Sequence, residues 1–184
     1  MVACQVDARG RPVVAVTGLG LVTSLGQGLA TNWQGLTEGR SGLRRIDRFT
    51  TDGLHSNVAG CVDFMGVEPY SAYELSRAMA SAVALEAVEQ SGIGSRGNFP
   101  GPLFIATPPS ELEWPQLQRL FATATGDNSE NAYRAMAAGL RESAPSNGFN
   151  DLADHVRFAT IAERLADQFG TKGQPISVCT ACAS

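Results

Sequence analysis

The sequence has little positive charge, and lysine is almost missing from it. Lys172 is the one lysine among 14 basic residues, and 18 acidic residues give a net charge of −4. Such a surface does not attract a polyanion, so the composition gives no support for nucleic-acid binding. Four arginines lie close together in the sequence, at Arg40, Arg44, Arg45 and Arg48. We interpret them as part of a solvated loop and helix end, with contact to an acidic partner as the alternative.

Long hydrophobic runs are also missing. No stretch approaches the ~18 apolar residues that a membrane span requires, and residues 1–11 contain no apolar core of signal-peptide length. We therefore expect no membrane association and a cytoplasmic location. The four cysteines are too few for a disulfide scaffold in a chain of 184 residues, so we expect reduced thiols.

Short apolar runs bounded by glycine or proline recur along the chain and predict buried strands. The run of residues 12–18, PVVAVTG, is continuous and closed by glycine, which is typical of a buried strand in a parallel sheet. Residues 103–107 and 175–179 have the same character, and residues 57–62 predict a weaker strand.

Amphipathic periodicity predicts helices between these strands. Leu29, Trp33 and Leu36 follow the i, i+4, i+7 spacing of a short helix. An alanine-rich segment, residues 75–92, predicts a longer helix with one apolar face. The clearest amphipathic pattern ends at Gly170, a typical helix cap. Its members are Phe158, Ile161, Ala162, Leu165, Ala166 and Phe169. Strands that alternate with helices predict an α/β fold with a mostly parallel sheet.

Gly18-Leu19-Gly20 follows the first predicted strand, where a dinucleotide-binding fingerprint would begin. That fingerprint needs a third glycine, which is Thr23 here, and an acidic residue about 20 residues further on, which the sequence lacks. We therefore interpret the two glycines as a tight turn where two backbone segments pack closely.

Cys179 and Cys182 lie in the last six residues, at the end of the segment ISVCTACAS, behind the last predicted strand. The spacing allows a redox pair, half of a zinc site, two inert buried thiols, or one nucleophile at a strand-to-helix turn. A redox pair normally precedes a helix near the start of a domain. Zinc needs about four ligands, and the remaining candidates are not spaced as a second knuckle: Cys4, His55, Cys61 and His155.

A nucleophilic thiolate is stabilised at a helix N-terminus, where backbone N–H groups are unpaired and the macrodipole is positive. A buried strand that delivers a cysteine to such a terminus builds this kind of site. The small residues Ala181, Ala183 and Ser184 permit a sharp turn and the approach of a substrate. This interpretation makes Cys182 the chemical residue and Cys179 an inert residue packed inside the strand.

Two long segments resemble the elongating beta-ketoacyl-ACP synthases of fatty-acid and polyketide synthesis. Residues 13–49, VVAVTGLGLVTSLGQGLATNWQGLTEGRSGLRRIDRF, are similar to the opening of that family. Residues 158–184, FATIAERLADQFGTKGQPISVCTACAS, are similar to its approach to the active-site cysteine. Their order and separation also match, which makes the pair of motifs more specific than either alone.

The resemblance implies a thiolase-like layered α/β fold, of which residues 1–184 are an incomplete N-terminal half, usually found in a homodimer. It implies that Cys182 accepts an acyl group from acyl carrier protein and that decarboxylated malonyl-ACP then attacks the thioester. The backbone N–H of Cys182 would form half of the oxyanion hole. No cofactor and no metal are implied.

The chain departs from the family pattern at the predicted acyl pocket. After the strand that ends at Thr107 the family usually has a glycine-rich stretch, and this chain has Pro108-Pro109-Ser110-Glu111. We take Thr107, Pro108 and Pro109 as substrate-binding. The family's two histidines, its lysine and its second oxyanion donor lie in a C-terminal half, and His55 and His155 match none of them. A C-terminal half is therefore required. The alternatives are a thiolase-type coenzyme A enzyme and a non-catalytic partner subunit of a condensing complex.

Overall fold

The computed structural model describes residues 5–48, 50–67, 71–107, 113, 134 and 155–179. The chain divides into two compact units. The first comprises Met1–Phe64 and Met79–Arg96, and the second comprises Met65–Ala78 and Gly97–Ser184.

The first unit contains two small antiparallel sheets and a short helix. Strands β1 (Val22–Thr23) and β2 (Gly26–Gln27) form a tight hairpin that leads directly into helix α1 (Leu29–Thr37). Strands β3 (Leu43–Arg45) and β4 (Val58–Gly60) pair in the register Arg44↔Ala59. The weak strand predicted over residues 57–62 is therefore confirmed over its middle.

Helix α1 has the predicted position, but a different face is buried. Asn32 and Gly35 are buried, whereas Trp33 is 70% exposed and Leu36 is 62% exposed. The Asn32 amide donates to the carbonyl oxygens of Gly26 and Gly28 at 2.9 and 2.8 Å. This polar side chain is buried because it satisfies the backbone of the hairpin, a requirement that apolar periodicity does not reveal.

The strand predicted over residues 12–18 is wrong. Among the described residues, this run makes only an isolated bridge, Val6↔Pro12, and Val14 and Val16 are 90% and 77% exposed. A strand needs a neighbouring strand to pair with, and the run has none within the described part of its unit. The residues that follow it, Leu19 and Leu21, donate their N–H groups to helix side chains instead.

The long helix α2 (Ala72–Ser91) confirms the helix predicted over residues 75–92 and begins three residues earlier. Its N-terminus is capped by Glu113, whose carboxylate accepts from the backbone N–H groups of Ala72 and Tyr73. A carboxylate at this end also favours the helix dipole. The Tyr73 ring is buried and stacks on His155 with 4.5 Å between ring centroids. Burial raises the pKa of the Tyr73 hydroxyl.

The second unit contains the parallel strands β5 (Phe104–Ala106) and β6 (Ile176–Val178) and the helix α3 (Thr160–Phe169). The α3 periodicity is confirmed from Ile161 onward, because Ile161, Ala162, Leu165 and Phe169 form most of the buried apolar core of this part of the chain. Phe158, the first predicted member, precedes the helix and is 38% exposed. Gly170 follows at φ 61° and closes the helix.

Strands β5 and β6 confirm the strands predicted over residues 103–107 and 175–179, but their burial differs from the prediction. Exposure alternates along both strands. Phe104 is 64% exposed and Ile176 is 47% exposed, whereas Ile105 and Ser177 are half-buried. The pair therefore has one covered face and one open apolar face, the pattern of a half-buried sheet.

Candidate functional site

The carboxyl ends of β5 and β6 lie at the same edge of the sheet. In the sequence, the predicted site residues come after the ends of these two strands. The strands pair in the register Ile105↔Ser177, and the Thr107 N–H donates to the Val178 carbonyl oxygen at 3.1 Å. Parallel strands bring their carboxyl ends together, which is where ligands bind in open α/β sheets. Thr107 therefore lies beside the chain that continues toward Cys182.

Three of the predicted site residues, Cys182, Pro108 and Pro109, lie outside the described residues. Their roles as nucleophile and as acyl-pocket residues stay predictions. The structure does place Thr107, one position before the first of the two prolines, at the carboxyl edge.

Thr107 is 6% exposed, and its hydroxyl has no hydrogen-bond partner among the described residues. The buried Ser177 hydroxyl is likewise without a partner within the described ranges. Native proteins pair most buried hydroxyl groups, so each exception needs an explanation. Thr107 was predicted as a site residue and Ser177 was not; the signal for Ser177 in the sequence is a polar residue in the middle of an apolar strand.

The prediction that Cys179 is packed inside a strand is wrong. Strand β6 ends at Val178, and Cys179 is an exposed free thiol, whereas the free thiol of Cys61 is half-buried. Cys179 lies beyond the last paired residues of the ladder, so β5 does not cover it. An exposed thiol is accessible to reagents, which matters for any labelling test of Cys182.

The connector between α3 and β6 is held by the segment that precedes β5. The Phe99 N–H donates to the Phe169 carbonyl oxygen, and the Lys172 N–H donates to the Gly101 carbonyl oxygen, both at 2.8 Å. A Cβ on Gly170 would lie 2.1 Å from the Gly97 carbonyl oxygen, so glycine is required there both by space and by its positive φ. These contacts fix the approach of β6 to the carboxyl edge.

The packing interpretation of Gly18 and Gly20 is confirmed. A Cβ on either glycine would lie 2.0 Å from a carbonyl oxygen of α2, that of Ala87 or that of Val83 respectively. The N–H of Leu19 donates to the Gln90 side chain at 2.7 Å, so it is not available to bind a phosphate group.

Glu86 is a structural residue that sequence analysis missed. Its carboxylate accepts from the N–H groups of Leu21 and Leu29, both at 2.9 Å. These two donors flank the β1–β2 hairpin, so one helix side chain fixes both ends of that hairpin. Nothing in the spacing of Glu86 on α2 distinguishes it from a solvated helix residue.

Two of the four arginines in the cluster are paired with acidic residues, and Arg48 donates to the Val62 carbonyl oxygen. Arg40 contacts Glu38 at 3.0 Å, and Arg44 forms an ion pair with Asp63. The hydrogen bond between the latter pair lowers the pKa of Asp63 and raises the pKa of Arg44. These arrangements favour the interpretation of a solvated loop over that of a basic docking surface.

Metal-binding and membrane-spanning features are both missing from the described residues. Within these ranges, no group of three or more histidine, cysteine, aspartate and glutamate side chains is arranged to hold a metal ion. The same part of the chain has no helix with the length and hydrophobicity of a membrane span.

Comparison with known proteins defines the class of this chain. Residues 11–184 match the family described as Beta-ketoacyl synthase, N-terminal domain. The polyketide beta-ketoacyl synthase 1 of Streptomyces cyaneus is 29% identical over 180 residues, which are 93% of this chain and 40% of that protein. The 3-oxoacyl-[acyl-carrier-protein] synthase 2 of Vibrio cholerae is 30% identical over 86 residues, 44% of this chain and 21% of that protein.

A solved structure agrees with the fold. The ishigamide ketosynthase/chain length factor superposes with a TM-score of 0.53 at 20% identity, covering 90% of this chain and 39% of that chain. The predicted thiolase-like α/β fold is confirmed. The chain belongs to the beta-ketoacyl synthase family, a family of ketosynthase-type condensing enzymes. Where nearly all of this chain is matched, it spans about 40% of the length of the relative.

Proposed function

We propose that this chain forms the N-terminal part of an acyltransferase that performs a decarboxylative Claisen condensation on Cys182. The Cys182 thiolate attacks an acyl thioester of acyl carrier protein. A new carbon–sulfur bond forms, the bond to the carrier sulfur breaks, and the carrier leaves as a thiol after taking a proton.

The second stage lengthens the acyl chain by two carbons. Malonyl-ACP loses CO2, and the electron pair of the broken bond becomes a carbanion. The carbanion attacks the carbonyl carbon of the Cys182 thioester, the carbon–sulfur bond breaks, and the Cys182 thiolate is released. The product is a β-ketoacyl-ACP, as expected in fatty-acid or related lipid elongation. A backbone N–H at Cys182 would stabilise the oxyanion of each tetrahedral intermediate.

The observation that carries the proposal is the parallel pairing of β5 and β6. It supports a site at their common carboxyl edge, with Thr107 directly after β5 and the segment leading to Cys182 directly after β6. We propose that Thr107, Pro108 and Pro109 line the acyl-binding surface beside the thioester.

The proposed reaction also sets the partners. Acyl carrier protein would deliver both the acyl and the malonyl group. A C-terminal half would supply the groups that promote decarboxylation, and a homodimer in the cytoplasm is the proposed assembly. The open face of β5 and β6, with Phe104 and Ile176 exposed, is consistent with a sheet that further chain covers.

Of the two alternatives, a non-catalytic partner subunit is disfavoured because the position that matches the family's nucleophile is a cysteine, Cys182. A thiolase-type enzyme would accept coenzyme A thioesters instead of carrier-protein thioesters. Comparing malonyl-ACP with acetyl-coenzyme A as the second substrate separates these two reactions.

The test compares Cys182→Ser with Cys179→Ser in the protein of full natural length. Loss of condensation in Cys182→Ser is expected to exceed roughly a thousandfold, because a hydroxyl is a weak nucleophile without a dedicated base. Cys179→Ser should retain condensation, since the Cys179 thiol is exposed and a serine there is solvated. Equal loss in two equally folded variants would instead support a pair of cooperating thiols and contradict the proposal.

A further inference from the structure

We draw no further inference here: the strongest candidate, the open polar cavity between α3 and the connector to β6 lined by Glu163, Asp167, Thr171 and Gln174, is an acidic cluster in which Glu163 already pairs with Arg157, and no second observation among the described residues points to a ligand.

Discussion

Two apolar segments that look alike in the sequence are held in different ways. Residues 103–107 contain strand β5, whose backbone pairs with the backbone of β6. Residues 12–18 pair with no strand in the described part of their unit, and the chain just after them is held by Gln90 and Glu86 of α2. An apolar run predicts an extended segment. It does not predict whether the backbone N–H groups there donate to a neighbouring strand or to the side chains of a helix.

The largest loss of stability should come from a side chain placed at Gly20, where the chain just after residues 12–18 packs against the backbone of α2. Gly20→Ala places a Cβ only 2.0 Å from the Val83 carbonyl oxygen, so the backbone must move. We expect a loss of about 3 kcal/mol in the free energy of unfolding. Urea unfolding followed by circular dichroism measures it.

Gly10→Ala is the control for that substitution. Gly10 has φ 74°, and a methyl group there would have no atom within 4 Å beyond its own chain neighbours, so only backbone strain applies. Its cost should be about 1 kcal/mol. Similar losses in the two variants would show that close packing against α2 is not what holds the first segment.

A smaller effect should follow from removing the helix side chain that accepts from the hairpin. Glu86→Ala leaves the N–H groups of Leu21 and Leu29 without their acceptor and should cost about 1–2 kcal/mol. Hydrogen exchange resolves the two segments, because these amides should exchange faster while those of Thr107 and Ile176, held by backbone carbonyls, should not change.

Glu89→Ala is matched to that variant, since Glu89 is an exposed glutamate on the same helix. It should leave both the stability and the exchange pattern within error. Faster exchange at Thr107 in Glu86→Ala would mean that the two segments are not independently held.

The open apolar surfaces of the two segments should act alike. Large apolar side chains are at least 47% exposed both in residues 12–18 and on the paired strands β5 and β6; they are Val14 and Val16, and Phe104 and Val178. Residues 1–184 expressed alone should therefore self-associate. Sedimentation velocity of Val16→Glu and Phe104→Glu should show reduced association, and a monomeric wild-type fragment at tens of micromolar would contradict this expectation.

The smallest effect should come from the exposed ion pair between Arg44 and Asp63 beside the β3–β4 hairpin. The folded-state pKa of Asp63 is lowered by its hydrogen bond with Arg44. The stabilisation is therefore fully present above the unfolded-state pKa and is lost as pH falls through the lowered folded-state pKa. Asp63→Asn should abolish this pH dependence, and salt should weaken it. An acid-side melting curve of Asp63→Asn that matches the wild type would show that the pair contributes nothing.

Much of the candidate site was predictable from sequence. The strand before the cysteines, the helix capped by Gly170 and the position of Thr107 at the end of a strand all follow from local patterns that each segment carries by itself. The exposed position of Cys179 was not predictable, because the length of a strand depends on how far its neighbour runs. Ser177 was visible as a polar residue in a strand, but its lack of a partner among the described residues is a property of the surrounding structure.

The sequence by itself determined the elements of this protein: where the helices α1, α2 and α3 lie, which runs are extended, and which family motifs lead to Cys182. These features depend on spacing and on glycine positions, which are local. Only the tertiary structure decided which backbone groups pair across long separations. It placed the Asn32 amide against the backbone of the hairpin, made Glu86 the acceptor for two distant N–H groups, and left residues 12–18 exposed. These outcomes are tertiary because a hydrogen bond forms only where the fold brings donor and acceptor together.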